Sequence, residues 1–159
     1  MYIRMGRYPD EDRERDVDIV IHNYDTWNMD HTLALLIVPL LKQLRDTKHG
    51  APNVDNEDVP IPLRAPEEDV LRYKEVGATD ENFFKRWDWV MDEMIWTFEQ
   101  VIDDYGTDQF YDHSECNPDD SIEESAKKLK IDRVGLQKHD ERVTNGLRLF
   151  GKYYRSLWD

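Results

Sequence analysis

The chain has 159 residues, 39% of them hydrophobic and 35% charged, with a formal net charge of -14 at pH 7. That length can bury a core in one domain without disulfides or a structural metal, and the single cysteine, Cys116, excludes an internal disulfide. The longest apolar run, Leu33 to Leu41, is far shorter than the roughly 20 residues of a membrane helix, and the N-terminus is not signal-like, so an intracellular soluble protein with no membrane attachment is expected.

In chain order, "MYIRMGRY" and "VDIVIHNYDTW", separated by the charged stretch "PDEDRERD", read as two strands of a hairpin over residues 1–24. Val17, Ile19 and Ile21 alternate with Asp18, Val20 and His22, the period of a strand with one buried face. A two-stranded hairpin is marginal alone in water, so it is expected to lie on a helix or pair with another strand. Residues 25–49 hold a helix over 30–48, capped by Asn28 or Asp30, stopped by Gly50, and kinked or broken at Pro39. Its apolar face is Leu33, Leu36, Ile37, Leu40, Leu41 and Leu44.

Residues 50–79 form an acidic strap containing Pro52, Pro60, Pro62 and Pro66. Val59, Ile61 and Leu63 would lie on the core, with one helical turn near Glu67 to Tyr73. The central helix spans 80–105, capped by Thr79 or Asp80. A broad apolar arc from Trp87 through Val90, Met94 and Phe98 to Tyr105 winds along it, and Asp88, Asp92, Glu99 and Asp103 line the other side. Trp89 and Trp96 fall among these carboxylates. A short helix follows near 121–130, then a basic amphipathic helix over 136–157, in which Gly146 and Gly151 suggest close approach to a neighbour. The expected fold class is mainly α with a small β element (α+β): one domain, its N-terminal hairpin packed on three principal helices.

Charge divides unevenly along this order. Residues 50–125 hold 22 acids against five bases, whereas residues 126 to the end hold nine bases against four acids. Such a surface disfavours free nucleic acid and suits a basic protein partner.

"DTWNMDHTLALLIVPLLKQLRDTKHGAPNVDNEDVP", "FFKRWDWVMDEMIWTFEQ" and "NGLRLFGKYYRSLWD" together resemble an uncharacterised family of small proteins encoded by tailed bacteriophages. The likeness covers most of residues 17–159. It implies a phage origin and a place in the host cytoplasm during infection or in the virion, and it transfers no activity and no catalytic residue.

Four groups of residues are candidates for function. Trp89 and Trp96, ringed by Asp88, Asp92, Glu93 and Glu99, could anchor a partner or a second copy, or else be covered by the strap or the hairpin. Glu99 and Asp103, with Glu67, Glu68 and Asp69 as possible facing acids, would hold Mg²⁺ in a nucleotide phosphohydrolase. His113 and Cys116, with His139 and Asp140, supply only half of a zinc motif. His22, Asp25, Asp30 and His31 meet at a strand-to-helix junction where capping is the simpler role. The expected function is that of a small acidic interaction protein without a cofactor. A Mg²⁺-dependent phosphohydrolase is the first alternative, and a DNA mimic that occupies a nucleic-acid-binding protein is the second.

Overall fold

The computed structural model describes residues 1–7 and 14–158. Strands β1 (Tyr2–Met5) and β2 (Val17–Val20) pair antiparallel, with Tyr2 opposite Val20 and Met5 opposite Val17. The Gly6 N–H donates to the Asp16 carbonyl at 2.8 Å and extends the ladder by one step. Of the charged turn expected between the strands, residues 8–13 lie outside the described residues. The hairpin is present, but it is not covered as expected: of its strand residues only Ile3 is half-buried. On the face formed by Ile3, Met5, Val17 and Ile19, the last three are exposed. At the base of the hairpin, the Met1 ammonium reaches Asp25 at 2.8 Å.

Helix α1 (Met29–Thr47) runs unbroken past Pro39. Asn28 occupies the cap position without a side-chain cap bond, and Asp30 instead accepts from the Tyr105 hydroxyl at 2.9 Å. The helix ends where Lys48 turns to extended geometry, two residues ahead of Gly50. The strap that follows buries Val54 and Val59, but Ile61 points outward with 77% of its surface exposed. The single turn expected near Glu67 is a full helix, α2 (Glu67–Val76). Three acids in its first turn suit the helix dipole, and Gly77 closes it at φ +70°, a left-handed value that favours glycine.

Helix α3 (Phe83–Ile102) is the centre of the molecule, between α1 and a long C-terminal helix. It is shorter than the 80–105 expected. At its start Asp80 is engaged by Arg86, and at its end Asp104, Tyr105 and Gly106 all take positive φ, a tight turn that no helix can continue through. A short ladder of β3 (Tyr111–Asp112) with β4 (Lys130–Ile131) brackets α4 (Ile122–Lys128). Ser121 and Glu124 close a reciprocal capping box at the start of α4. Helix α5 (Arg133–Tyr153) begins three residues before the expected 136, because Asp132 caps it by accepting from the Gly135 N–H at 2.9 Å. A turn over Tyr154–Ser156 ends it.

The core gathers Ala34, Val38 and Leu41 from α1, Val54 and Val59 from the strap, Trp87 to Val101 from α3, and Leu149 and Tyr153 from α5. Gly146 lets α5 approach α3 closely: a Cβ there would overlap Thr97 Oγ1 and lie 2.7 Å from Thr97 Cβ and 3.1 Å from the Glu93 carbonyl. Gly151 meets nothing within 4 Å and has no such role. Among the described residues, no helix is long and apolar enough to cross a membrane.

Candidate functional site

The face of α3 singled out by its tryptophans is divided between two neighbours. Toward α1, Lys42 pairs with Glu99 at 2.6 Å, Arg45 with Asp92 at 2.9 Å and Asp88 at 3.6 Å, and Lys48 also binds Asp88. Toward α5, Arg142 forks onto Glu93 with bonds of 2.7 and 2.9 Å. The same guanidinium lies over the Trp96 ring, 3.7 Å from its centroid, and His139 meets that indole edge-on at 5.3 Å. Trp89 is half-buried against the core. Asp88, Asp92, Glu93 and Glu99 thus each face a base of their own chain, and both indoles are partly covered.

The strap is held to α5 by a second charged cluster. The side chain of Asp58 is fully buried and accepts from Arg148, Tyr153 and Lys152, each at 2.6 Å. Burial alone would raise the Asp58 carboxyl; the bonds from Lys152, Tyr153 and Arg148 outweigh it and hold the group below its ordinary value. Asp55, Glu57 and Asp58 form the one convergent group of three possible metal ligands among the described residues. Its centre is taken by Lys152, whose ammonium lies 2.7, 3.3 and 2.6 Å from the three carboxylates. At the other end of the strap the buried Arg86 donates to both oxygens of Asp80 and to the Leu63 carbonyl. That pairing holds Asp80 below its ordinary value.

Other residues weighed as metal ligands have separate local duties. Glu99 is bound to Lys42, and Asp103 caps the end of α3. Among the described residues neither joins a group of three possible ligands, and neither do His113, Cys116 and Asp140. The Cys116 thiol lies 3.7 Å from the Ser125 carbonyl, while His139 places Nε2 2.7 Å from the Tyr105 carbonyl. At the strand-to-helix junction, Asp25 accepts from the His22 N–H at 2.6 Å and binds the N-terminus.

A different surface stands open. From Leu33 to Leu41 no side chain of α1 is polar, and a helix apolar all round is ordinarily covered all round. Here α3 covers one side, burying Ala34, Val38 and Leu41, whereas Leu33 and Leu35 are exposed and Leu40 is 70% exposed. Met29, Leu33, Ile37, Leu40 and Leu44 share an arc of roughly 100° on α1. The C-terminal half of this arc, with Phe150, Tyr154 and Leu157, borders an open apolar groove of 510 Å³. Just ahead of α1, Tyr24 and Trp27 are exposed by 81% and 82%. Sequence reasoning treated this stretch as a helix with a single apolar face, although nine residues without a polar side chain already spanned every direction around it.

Comparison with protein-family models, with curated proteins and with solved structures finds no match for this chain.

Proposed function

We propose that this chain is an interaction protein whose docking surface is the uncovered apolar side of α1, together with Tyr24, Trp27 and the hairpin. The observation that carries the reading is Leu40, in the middle of an apolar helix and 70% exposed in a chain that is 35% charged. Single exposed apolar side chains such as Ile122 and Val76 occur elsewhere, but Leu33, Leu40 and the groove beside them lie together on one helix, and apolar groups grouped in this way mark a site of association. The hairpin adds weight, since two strands of four residues with an exposed apolar face are marginal until something covers them. The acids around Trp89 and Trp96 already face Lys42, Arg45, Lys48 and Arg142, so docking rests on apolar contact, with the acidic surroundings disfavouring nucleic acid. The resemblance to tailed-phage proteins supports a setting in an infected cell's cytoplasm or in the virion.

Photo-crosslinking tests the reading. A photoreactive side chain at Leu40 or Trp27 is expected to give a discrete adduct in the producing cell. The same group at Ile122, on α4 and also exposed, is expected to give none. Equal labelling from all three positions, or none from any, would remove the docking surface.

A further inference from the structure

We infer that the occupant of this surface is a second copy of the chain, with α1 packed antiparallel on its counterpart, an inference that rests on the docking reading above. Leu33, Ile37, Leu40 and Leu44 recur at steps of four, three and four, the spacing at which two helices interlock along a seam. An antiparallel crossing centred between Ile37 and Leu40 sets Leu33 of each copy against Leu44 of the other. It also carries the exposed Trp27 and Met29 of each copy toward the partner's groove at Leu44, Tyr154 and Leu157. One chain therefore offers both the open groove and the uncovered side chains to fill it, the self-complementarity that a two-fold interface requires.

The distribution of charge favours a second copy at this end of the chain. Residues 1–49 carry nine acids and seven bases, whereas residues 50–125 carry an excess of 17 acids, so two copies meet with least repulsion through the N-terminal part. The charged residues bordering the seam are Asp30 near its start and Lys48 just past its end, bonded in their own chain to Tyr105 and Asp88. Both are engaged within their own chain, Lys48 with only 9% of its side chain exposed, so the direction of crossing rests on the groove and the side chains that fill it. The other border is Thr32 and Gln43, which are uncharged.

Sedimentation equilibrium of the purified chain, with disulfide trapping of the pair, is the test. The wild-type chain is expected to sediment at twice its monomer mass. Leu40→Glu, changed at an exposed position, is expected to sediment as a monomer with its helical circular dichroism retained. In a Cys116→Ser background, a mixture of Leu33→Cys and Leu44→Cys proteins is expected to oxidise to the mixed dimer in preference to either self-paired product. Self-paired Leu33→Cys as the main product would overturn the antiparallel arrangement. A wild-type monomer at every concentration would overturn the second copy as occupant. Should photo-adducts at Leu40 then carry a different mass, the docking surface stands without self-association; should there be none, both fall.

Discussion

Arg142 stacks on Trp96 with its guanidinium carbon 3.7 Å above the indole and turns its nitrogens onto Glu93, so one side chain of α5 both covers and neutralises the polar edge of α3. Removing it by Arg142→Ala is expected to cost about 1–2 kcal/mol, the sum of a part-exposed cation–π contact and a charge-assisted fork. Denaturant midpoints measure that cost. Acrylamide quenching of tryptophan fluorescence is expected to rise in the variant, because Trp96 loses its lid. Arg142→Lys keeps the charge but not the planar stack, and an intermediate value is expected. An unchanged midpoint and unchanged quenching would show that the stack does not stabilise the fold.

The two glycines of α5 should respond to alanine with opposite sign. At Gly146 the added methyl meets Thr97 Cβ at 2.7 Å on a buried residue, and the two helices must separate; a loss of about 2 kcal/mol is expected. At Gly151 nothing lies within 4 Å, and the better helix propensity of alanine is expected to add up to about 1 kcal/mol. Thermal unfolding of the pair decides the matter, and a stabilised Gly146→Ala would mean that α3 and α5 do not pack as closely as described.

Acid should unfasten the strap. Asp58 and Asp80 are both held below the ordinary carboxylate value of about 3.9, so the unfolded chain binds protons at these groups more readily than the folded one. The stability they contribute is present in full above the ordinary value and is lost as pH falls through their depressed ones. Asp58→Asn is expected to lower stability near neutrality by about 3 kcal/mol and to flatten the acid limb of the pH profile. That figure is the lower end of the cost of breaking a buried pair, because Arg148 and Lys152 keep access to water. An acid limb that stays equally steep in the variant would remove Asp58 from the explanation.

Mg²⁺ is expected to leave the melting temperature unchanged, since Lys152 occupies the centre of Asp55, Glu57 and Asp58. Lys152→Met removes that cation, and the variant is expected to gain a Mg²⁺-dependent rise. If the wild-type chain itself were stabilised by Mg²⁺, the ammonium would not be filling the site.

Much of the fold is legible in the residues, because the signals that mark it are local. The 3.6-residue period of Val90, Met94 and Phe98 places α3, and the hairpin appears where Val17 and Ile19 alternate. Boundaries moved with the choices of single polar side chains. Asp30 binds Tyr105, 75 residues on, a partner that sequence neighbours do not show, whereas Asp80 serves both the Asn82 N–H and Arg86, six residues on. β3 and β4 were missed because two residues per strand carry no period. At the candidate site, Trp96 is covered by Arg142, 46 positions after it in sequence, and Trp89 packs against the core, neither of which sequence neighbours show. The open side of α1 is not legible in the sequence, because the recurrence of apolar residues does not show how many of them a tertiary neighbour will cover.

The bond from Tyr153 to Asp58 joins residues 95 apart, and this separation bears on the order in which the molecule can be completed. While the chain is made from its N-terminus, the strap has no anchor on α5 until Tyr153 has left the ribosome, so α1 and α3 meet first, with the strap side of the core still open. Contacts closed across so many residues form late, after local helices are in place. During synthesis the apolar run of α1 is therefore present long before Tyr153, and the nascent chain is adhesive in the interval before that residue emerges.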